Sequence, residues 1–212
     1  MDDRIIEYYS RRVTDSVGTY GPPEIQQDFA WVTRWLQENV AGSHLLEVAC
    51  GTGHWTSVAS ETARRIVASD VNANLVQEAR QKTQGHSVDF LVADAYQLPL
   101  RPGTFDCLLA GFWLSHVPRS QMAPFLDGFV RHLKAGGRLF VIDAKWVEGY
   151  RKGIDRRDQE GNTYELRTLK DGSQYEVLKN YFTRQEWLGF FERFGKVQVQ
   201  ELSYVWAVDI TI

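Results

Sequence analysis

The sequence has few cysteines and no residue spacing that is typical of a metal site. Only Cys50 and Cys107 occur among 212 residues, and both lie in apolar, strand-like runs. No pair of cysteines has C-x-x-C spacing, and the five histidines show no metal-ligand spacing, which argues against a zinc site. Buried free thiols are the simpler interpretation, and they fit a reducing, cytoplasmic location.

Long apolar runs and an excess of positive charge are also lacking. No window approaches the roughly 18 apolar residues of a membrane span, and the N-terminus lacks the layout of a secretion signal. The net charge of −3 does not favour a nucleic-acid or membrane partner. With 43% hydrophobic and 24% charged residues, the chain is expected to form one domain over residues 1–212.

The N-terminal part of the chain has two stretches with helical periodicity. Apolar residues recur on one helix face from Ile5 to Val13 and again from Ile25 to Val40. A glycine- and proline-containing loop over Ser16–Pro23 separates the stretches. These patterns predict an N-terminal helical cap over residues 1–40.

The middle of the chain alternates short apolar runs with amphipathic segments. The predicted strands are His44–Ala49, Ile66–Ser69, Val88–Ala93, Phe105–Ala110 and Leu139–Asp143. The predicted helices are Trp55–Ala63, Ala73–Lys82 and Arg119–Leu133. Nearly continuous apolar strands that alternate with helices predict a parallel sheet covered on both faces. Right-handed crossovers make this α/β fold doubly wound, as in Rossmann-like domains.

The last third of the chain breaks this alternation. We expect a lid over residues 146–182, in which a polar loop, 146–162, precedes a hairpin. The predicted strands of the hairpin are Thr163–Leu169 and Gln174–Phe182. A helix from Thr183 to about Phe194 and two closing strands, Val197–Leu202 and Val205–Ile212, are expected to follow. Thr183 and Glu186 have the spacing of a helix capping box.

A glycine turn and three acidic residues point to a nucleoside-containing ligand. The run LLEVACGTG, residues 45–53, is a strand that enters a tight turn, where glycine lets the backbone approach a ligand. Asp70 ends the second strand about 20 residues on, where a carboxylate can bind ribose hydroxyls. Asp94 ends the third strand. Glu47 would repel a pyrophosphate, and Thr56 replaces the third glycine of the dinucleotide fingerprint, so an NAD-dependent oxidoreductase is disfavoured.

These segments resemble the motifs of class I S-adenosylmethionine (SAM)-dependent methyltransferases. The similar runs are EVACGTGHWT at 47–56, VASD at 67–70, VADA at 92–95, Phe105-Asp106, and LKAGGRL at 133–139. Ala49 stands where the family usually has glycine. The resemblance covers residues 40–145 and implies a seven-stranded sheet whose last strand is antiparallel.

The same resemblance implies a set of cofactor-binding residues. Glu47 would face the methionine ammonium, and Ala49 and Gly51 would line the methionine moiety. Asp70 would hold the ribose, while Asp94 and Ala95 would frame the adenine. The remaining members of the set have a second interpretation: Trp55 and Val71 as core residues, and Arg12, which could reach the methionine carboxylate, as a solvated surface arginine.

A narrower resemblance concerns the methyl acceptor. The runs FWLSHVP at 112–118 and LRTLKDG at 166–172, with Lys179, resemble small bacterial methyltransferases that esterify phosphonates or related acids. A type I turn with a glycine bulge would pair Arg167 with Tyr175 and Thr163 with Lys179. Arg167 and Lys179 would then share one face and form an oxyanion receptor, although both could be solvated. Trp113 and Tyr20 complete the expected acceptor-binding set.

His116 follows the fourth strand, at the edge of the sheet where ligands bind. An ionised acid needs no base, so His116 would then only donate a hydrogen bond that positions the acceptor. With an alcohol, phenol or amine as acceptor, His116 would be the general base. The residues after the fourth strand, Ala110–Trp113, include no carboxylates, which argues against a metal-assisted enzyme.

The expected function is transfer of a methyl group from SAM to an oxygen of a small acid, with S-adenosylhomocysteine (SAH) as the second product. Methylation of an amine or a phenol with His116 as base is the alternative. A non-catalytic SAM-binding protein would keep residues 47–95 but would need no receptive lid. The aromatic-rich lid and His116 favour an enzyme.

Overall fold

A computed structural model describes residues 3–15, 23–150 and 153–212. Its helices are α1 (Asp3–Asp15), α2 (Pro23–Val40), α3 (His54–Ser60), α4 (Ala73–Lys82), α5 (Arg119–Val130) and α6 (Arg184–Phe191). Its strands are β1 (His44–Val48), β2 (Arg65–Asp70), β3 (Val88–Val92), β4 (Phe105–Gly111), β5 (Leu133–Ala144), β6 (Arg156–Arg157), β7 (Thr163–Thr168), β8 (Gln174–Leu178), β9 (Lys196–Glu201) and β10 (Val205–Thr211). A short 3-10 turn, Leu114–His116, follows β4.

Seven strands form one sheet in the order β3-β2-β1-β4-β5-β10-β9. Strands β1 to β5 pair in parallel with their neighbours, whereas β10 is antiparallel to both β5 and β9. The predicted seven-stranded, doubly wound α/β sheet with an antiparallel last strand is therefore confirmed. The chain order reverses between β1 and β4, and in such sheets ligands bind at the carboxyl ends of the strands that flank this point.

The central strands are apolar because both faces of the sheet are covered. In β1, Leu45 packs with Val32, Leu36 and Val40 of α2 on one face. The next residue, Leu46, packs on the opposite face with the buried side chains of α5 and α6. This alternation follows from the two-residue period of a strand. It gives the molecule one hydrophobic layer on each side of the sheet.

A second, three-stranded sheet has the order β6-β7-β8. Arg167 pairs with Tyr175, and the Lys179 amide donates to the Thr163 carbonyl (2.8 Å), so the predicted hairpin register is confirmed. The expected polar loop over 146–162 contains one feature that was not predicted, because β6 adds a strand to the hairpin through Arg156 and Arg157. Two residues are too few for a periodic signal.

Several predicted boundaries were wrong by a few residues. Helix α5 ends at Val130 and not at Leu133, because Leu133 already pairs with Phe105 in the sheet. Helix α3 spans His54–Ser60 and is shorter than predicted, as is α6, which ends at Phe191. The capping box of α6 is confirmed, since the Thr183 and Glu186 side chains bond each other's backbone amides. Within the described residues, no helix combines the length and apolar character that crossing a membrane requires.

Candidate active site

A cavity of about 730 Å³ opens at the carboxyl ends of the central strands. The turn after β1, the residues after β2 and the segment after β4 form its base. Helix α1 and the second sheet close it from above, through Ile5, Ile6, Tyr8, Tyr9 and Arg12 on α1 and through Glu165, Leu166, Arg167, Thr168 and Lys179. The cavity thus lies where the sheet topology predicts a ligand.

Three residues of the turn after β1 adopt a left-handed backbone conformation. The φ angles are +51° at Ala49, +55° at Gly51 and +79° at Gly53. At Gly53 a Cβ atom would lie 2.7 Å from the Cβ of Ala79, so only glycine lets the turn pack against α4. Ala49 adopts a left-handed conformation that glycine accepts more readily than alanine.

Asp70 connects this turn to the end of β2. Its Oδ2 accepts a hydrogen bond from the Gly51 amide (2.9 Å), and its Oδ1 accepts one from the Asn72 amide (2.9 Å). Burial raises the pKa of the Asp70 carboxyl above its usual value. A carboxylate has about four lone-pair sites, more than the backbone amides of Gly51, Val71 and Asn72 occupy, and Asp70 lies in the cavity wall. The side chain can therefore hold the turn and accept from a ligand hydroxyl together.

Glu47 lies beneath the turn and is only 1% exposed. Its Oε2 accepts a hydrogen bond from the Thr56 hydroxyl (2.6 Å). Burial raises the pKa of the Glu47 carboxyl to about 7, and the neighbouring Asp70 also raises it. Thr56, which the sequence marked only as a missing glycine, is thus the partner of this carboxylate.

Seven of the nine expected cofactor residues line the cavity. They are Arg12, Ala49, Gly51, Trp55, Asp70, Val71 and Ala95. Glu47 and Asp94 are not among the lining residues, and the Asp94 Oδ1 accepts from the Tyr96 amide (3.0 Å). Arg12 is exposed, and its guanidinium lies 5.9 Å from the centre of the Tyr9 ring.

An aromatic cluster forms one wall beside the end of β4. Trp55 stacks on Phe112 with ring centroids 6.3 Å apart, and Phe29 packs edge-on against both rings. A Cβ atom on Gly111 would lie 2.7 Å from Cδ1 of Trp55, so glycine is required there. Phe112 itself has a φ of +55°. This left-handed conformation turns its ring back over Trp55 at the cavity wall.

His116 is buried in the cavity wall after β4, and its hydrogen bonds determine its tautomer. Its Nδ1 lies 2.6 Å from the Leu178 carbonyl oxygen, which can only accept, so Nδ1 carries the hydrogen. Nε2 lies 2.9 Å from the Tyr9 hydroxyl and accepts from it. Burial, then the charges of Lys179 and Arg167, hold the His116 pKa well below its usual value. We expected His116 to donate a hydrogen bond to the methyl acceptor. The neutral ring cannot do so in this arrangement, because its single N–H binds the Leu178 carbonyl.

Arg167 is held from two sides. Its Nε and Nη2 donate to Oε2 of Glu165 (3.0 and 2.8 Å), and its Nη1 donates to the Tyr9 hydroxyl (3.1 Å). The Tyr181 hydroxyl donates to the other oxygen of Glu165. With its side chain 19% exposed, Arg167 is not a solvated surface charge.

Lys179 is more deeply buried than Arg167, at 5% exposed. Its Nζ donates to the Ser115 hydroxyl (2.6 Å) and lies 3.4 Å from Oδ1 of Asp143. Asp143 is fixed in turn, since its Oδ2 accepts from the Ser115 amide (2.8 Å). The hairpin therefore brings both predicted cations into the cavity wall, together with Trp113 and His116.

Sequence reasoning missed several residues of this site, namely Tyr9, Ser115, Asp143 and Glu165. Asp143 carried a usable signal, because it ends the fifth predicted strand at the same edge of the sheet as Asp70. Tyr9 was treated only as an apolar helix position, which ignored its hydroxyl. Tyr20, the remaining expected acceptor residue, lies outside the described residues.

Comparisons with known proteins agree with the fold. Residues 45–137 match the family profile described as a methyltransferase domain. The demethylmenaquinone methyltransferase of Bacillus licheniformis is 32% identical over 120 residues, which are 55% of this chain and 51% of that enzyme. The chain thus spans about half the length of the curated relatives that it matches.

Solved structures match over nearly the whole chain. The DhpI–SAH complex is 25% identical with a TM-score of 0.79, and the match covers 99% of this chain and 96% of that one. The DhpI–SAM–HEP complex is 23% identical with a TM-score of 0.79, and the match covers 98% and 96%. The similarity therefore includes the N-terminal helices and the second sheet, which lie outside the matched family domain.

Proposed function

We propose that the chain transfers the methyl group of SAM to an oxygen of a small acid. The second product is SAH. Residues 45–137 match a methyltransferase domain profile, and the fold is similar to that of DhpI in complex with SAH. The observation that carries the proposal is the division of one cavity into two ends. The glycine turn follows β1 and Asp70 ends β2, whereas Lys179 contacts Asp143 on β5, two strands beyond β1 in the sheet. Arg167 lies near the Lys179 side, since Tyr9 joins it to His116.

At the first end, the residues present fit SAM. The Gly51 turn offers a backbone approach without a side chain, and Asp70 offers carboxylate oxygens to the ribose hydroxyls. We assign Val71, Ala95 and Trp55 to the walls around the nucleoside, with Asp94 beside the adenine. Glu47 and Arg12 are assigned to the ammonium and carboxylate of the methionine part. SAM supplies an activated methyl group on a sulfonium sulfur.

At the second end, the charges favour an acceptor that is already ionised. A general base works best when its pKa is near the working pH, and the pKa of His116 is held well below its usual value. The ring is therefore a weak base for an alcohol, a phenol or an ammonium group. A phosphonate or carboxylate oxygen needs no base, and Arg167 and Lys179 attract it. Trp113 and Tyr20 complete the proposed acceptor site.

The reaction then reduces to positioning. A lone pair of the acid oxygen forms the new bond to the methyl carbon while the bond between carbon and sulfur breaks, and no proton moves. Holding the oxygen in line and excluding water are the contributions of the chain's own residues. We propose that residues 1–212 form a single domain, in which residues 1–40 cap the site and residues 146–182 cover it as a lid.

The comparisons cover the two ends of the cavity to different extents. The matched family domain ends at residue 137, before the hairpin that carries Arg167 and Lys179. The relatives that match over about half their length are therefore similar to this chain in the proposed cofactor-binding part. DhpI is matched over 96% of its length, and complexes of it with SAH and with SAM and HEP exist. We propose a small-molecule partner in a reducing, cytoplasmic compartment, since Cys50 and Cys107 are buried free thiols.

Product identification tests the proposal directly. The protein is incubated with methyl-labelled SAM and a panel of phosphonates, carboxylic acids, phenols and amines, and the labelled products are identified by mass spectrometry. We expect methyl esters of acids, with SAH formed in equal amount. Methylation of amines or phenols alone would overturn the acid acceptor and leave the methyltransferase assignment standing. Binding of NADH with no binding of SAM would overturn both.

A further inference from the structure

We infer that Tyr9, carried by α1, is a positioning residue of the acceptor site: its hydroxyl fixes the Arg167 guanidinium and is itself fixed by His116. The inference rests on the proposed acid acceptor and adds a residue that the sequence motifs do not contain. Tyr9 lies in the cavity wall beside Arg12. Its hydroxyl joins two residues from different elements, the 3-10 turn and β7.

The direction of each hydrogen bond in this chain is determined by chemistry. Arg167 can only donate, so the Tyr9 oxygen accepts from its Nη1 (3.1 Å). The unprotonated Nε2 of His116 can only accept, so the Tyr9 hydroxyl donates to it (2.9 Å). The Leu178 carbonyl holds the other side of the imidazole (2.6 Å). The Tyr9 hydrogen therefore points away from the guanidinium, and the oxygen lone pair points toward it.

This arrangement leaves part of Arg167 available for an acceptor. Of the five guanidinium hydrogens, two point to Glu165 and one to Tyr9. The two bonds to Glu165 hold one edge of the planar group, and the bond to Tyr9 restrains its rotation about that edge. The two remaining hydrogens are then aimed before an oxyanion arrives, which lowers the entropy cost of binding.

His116 acquires a role that does not require its protonation. Without an acceptor at Nε2, the Tyr9 hydroxyl hydrogen could rotate toward the guanidinium and weaken the bond to Arg167. His116 thus acts on the acceptor site through Tyr9, as a positioning residue and not as a base. Burial of the ring and the charges of Lys179 and Arg167 favour this neutral state, whose single N–H binds the Leu178 carbonyl.

The chain provides a matched control one residue away. Tyr8 packs against Tyr9 with ring centroids 5.0 Å apart, and the Arg167 guanidinium lies 5.5 Å from the centre of the Tyr8 ring. Within the described residues, however, the Tyr8 hydroxyl makes no hydrogen bond. Tyr8→Phe and Tyr9→Phe remove the same atom from the same helix, but only Tyr9→Phe breaks the connection between Arg167 and His116.

The test measures the affinity of an inert oxyanion for the SAH-bound protein. Methanesulfonate serves as the probe, because it is a tetrahedral anion that needs no methyl transfer, and calorimetry gives its Kd. We expect Tyr9→Phe to weaken methanesulfonate binding by about ten-fold, the effect of losing one charge-assisted hydrogen bond. Tyr8→Phe should leave that Kd unchanged, and neither variant should change the Kd of SAH.

A double-mutant cycle separates positioning from general damage to the helix. His116→Ala should weaken methanesulfonate binding as Tyr9→Phe does, and the double variant should be no weaker than either single variant. His116→Gln keeps an acceptor for the Tyr9 hydroxyl and should restore most of the affinity. With an acid acceptor, Tyr9→Phe should raise KM and leave kcat nearly unchanged.

The possible outcomes distinguish the inference from the function on which it rests. Equal methanesulfonate binding by Tyr9→Phe and the unmodified protein overturns the inference alone. So does an equal loss in Tyr8→Phe, or additive losses in the cycle. Failure of the unmodified protein to bind methanesulfonate overturns the acid acceptor site itself.

Discussion

Two residues other than glycine adopt left-handed backbone conformations at the cavity wall. Ala49 ends the apolar run of β1, and Phe112 follows β4, with φ angles of +51° and +55°. Such conformations cost about 1–3 kcal/mol each and persist where the surrounding structure enforces them. Both lie at the carboxyl ends of adjacent central strands. The strain is thus concentrated where the sheet meets the ligand.

Ala49→Gly tests whether the turn after β1 is strained. Glycine accepts the φ of +51° without the Cβ penalty of about 1–2 kcal/mol that alanine has there. This gain offsets the cost of the larger conformational entropy that glycine gives the unfolded chain. We expect a free energy of unfolding equal to or up to about 1 kcal/mol above that of the unmodified protein, with SAM affinity retained.

The matched control for this measurement is Ala59→Gly. Ala59 is buried inside α3 with ordinary helical geometry, so glycine there should destabilise the fold by about 1 kcal/mol or more. Chemical denaturation of both variants gives the comparison. An equal loss of stability in the two variants would contradict the idea that the Ala49 backbone is strained.

The pKa of His116 leads to a prediction about the pH profile of turnover. Burial and the nearby cations keep its pKa well below its usual value, so the ring is neutral throughout the near-neutral range. With a carboxylic acid acceptor, kcat should show no inflection near pH 6.5, the ordinary pKa of histidine. Stopped assays with labelled SAM between pH 6 and 8 measure this, and His116→Gln serves as the control. A sigmoidal rise through pH 6.5 that His116→Gln abolishes would assign His116 as a general base.

At the scale of elements, the hairpin sheet depends on a buried junction with the segment after β4. Asn180 is fully buried, and its Oδ1 accepts from the Thr163 amide (2.9 Å). Its Nδ2 donates to the Val117 carbonyl (3.1 Å), and its own amide donates to the Ser115 carbonyl (2.8 Å). One side chain thus ties β7 to the turn that carries Ser115 and His116. The relative placement of Arg167, Lys179 and His116 depends on it.

Replacement of Asn180 by alanine should therefore affect stability and acceptor binding together. Two buried backbone groups lose their partners, which costs about 2–4 kcal/mol of unfolding free energy. We expect KM for the acid acceptor to rise and the Kd of SAM to stay near its original value. Urea denaturation and SAM titration check these expectations. Asn74→Ala, which removes an exposed amide bound only to Ser10 (3.4 Å), should be nearly silent in all three measurements.

The elements differ in how well the sequence predicts them, and the reason is physical. Strands β1, β2 and β4 are buried on both faces, so their apolar runs were readable without structural information. The hairpin register was predictable because the turn at Lys170–Gly172 determines which residues face each other. Strand β6 and the end of α5 were missed or misplaced, since both are decided by pairing with distant residues.

The residues of the candidate site also divide into those that the sequence predicts and those that it does not. Residues on the strand ends and glycine turn could be located from spacing alone, and most of them line the cavity. Tyr9 and Ser115 were missed because their roles arise from contacts between segments more than 60 residues apart, such as Ser115 with Lys179. No local pattern records such a meeting. Asp143 is the exception, since its position at a strand end was visible.

At the scale of the whole molecule, charged groups of opposite sign lie at different places in and beneath the cavity wall. Buried carboxylates, Glu47 and Asp70, lie at the cofactor end. Two cations, Arg167 and Lys179, each paired with a carboxylate, lie at the proposed acceptor end. This layout matches a cation, the sulfonium cofactor, at one end and an anion at the other. Binding of either ligand should therefore be linked to folding stability and to pH.

Glu47 should make the stabilisation by SAM depend on pH. Its pKa in the folded protein, about 7, is above that of an unfolded glutamate, so this group makes the ligand-free fold less stable as pH rises from about 4.5 to 7. The ionised carboxylate is the form that attracts the methionine ammonium, which itself stays protonated up to about pH 8. SAM affinity should therefore increase by up to roughly ten-fold between pH 6 and pH 7.5. The increase in Tm caused by SAM should be larger at pH 7.5 than at pH 6.

Two variants assign this pH dependence to one carboxyl. Glu47→Gln should weaken SAM binding at pH 7.5 and make it nearly independent of pH between 6 and 7.5. Thr56→Val removes the hydroxyl that donates to Glu47 (2.6 Å) and that lowers the pKa, so it should move the rise in affinity to higher pH. Calorimetric titration at four pH values measures both effects. A profile that is the same in Glu47→Gln and the unmodified protein would show that another group titrates and that Glu47 does not receive the ammonium.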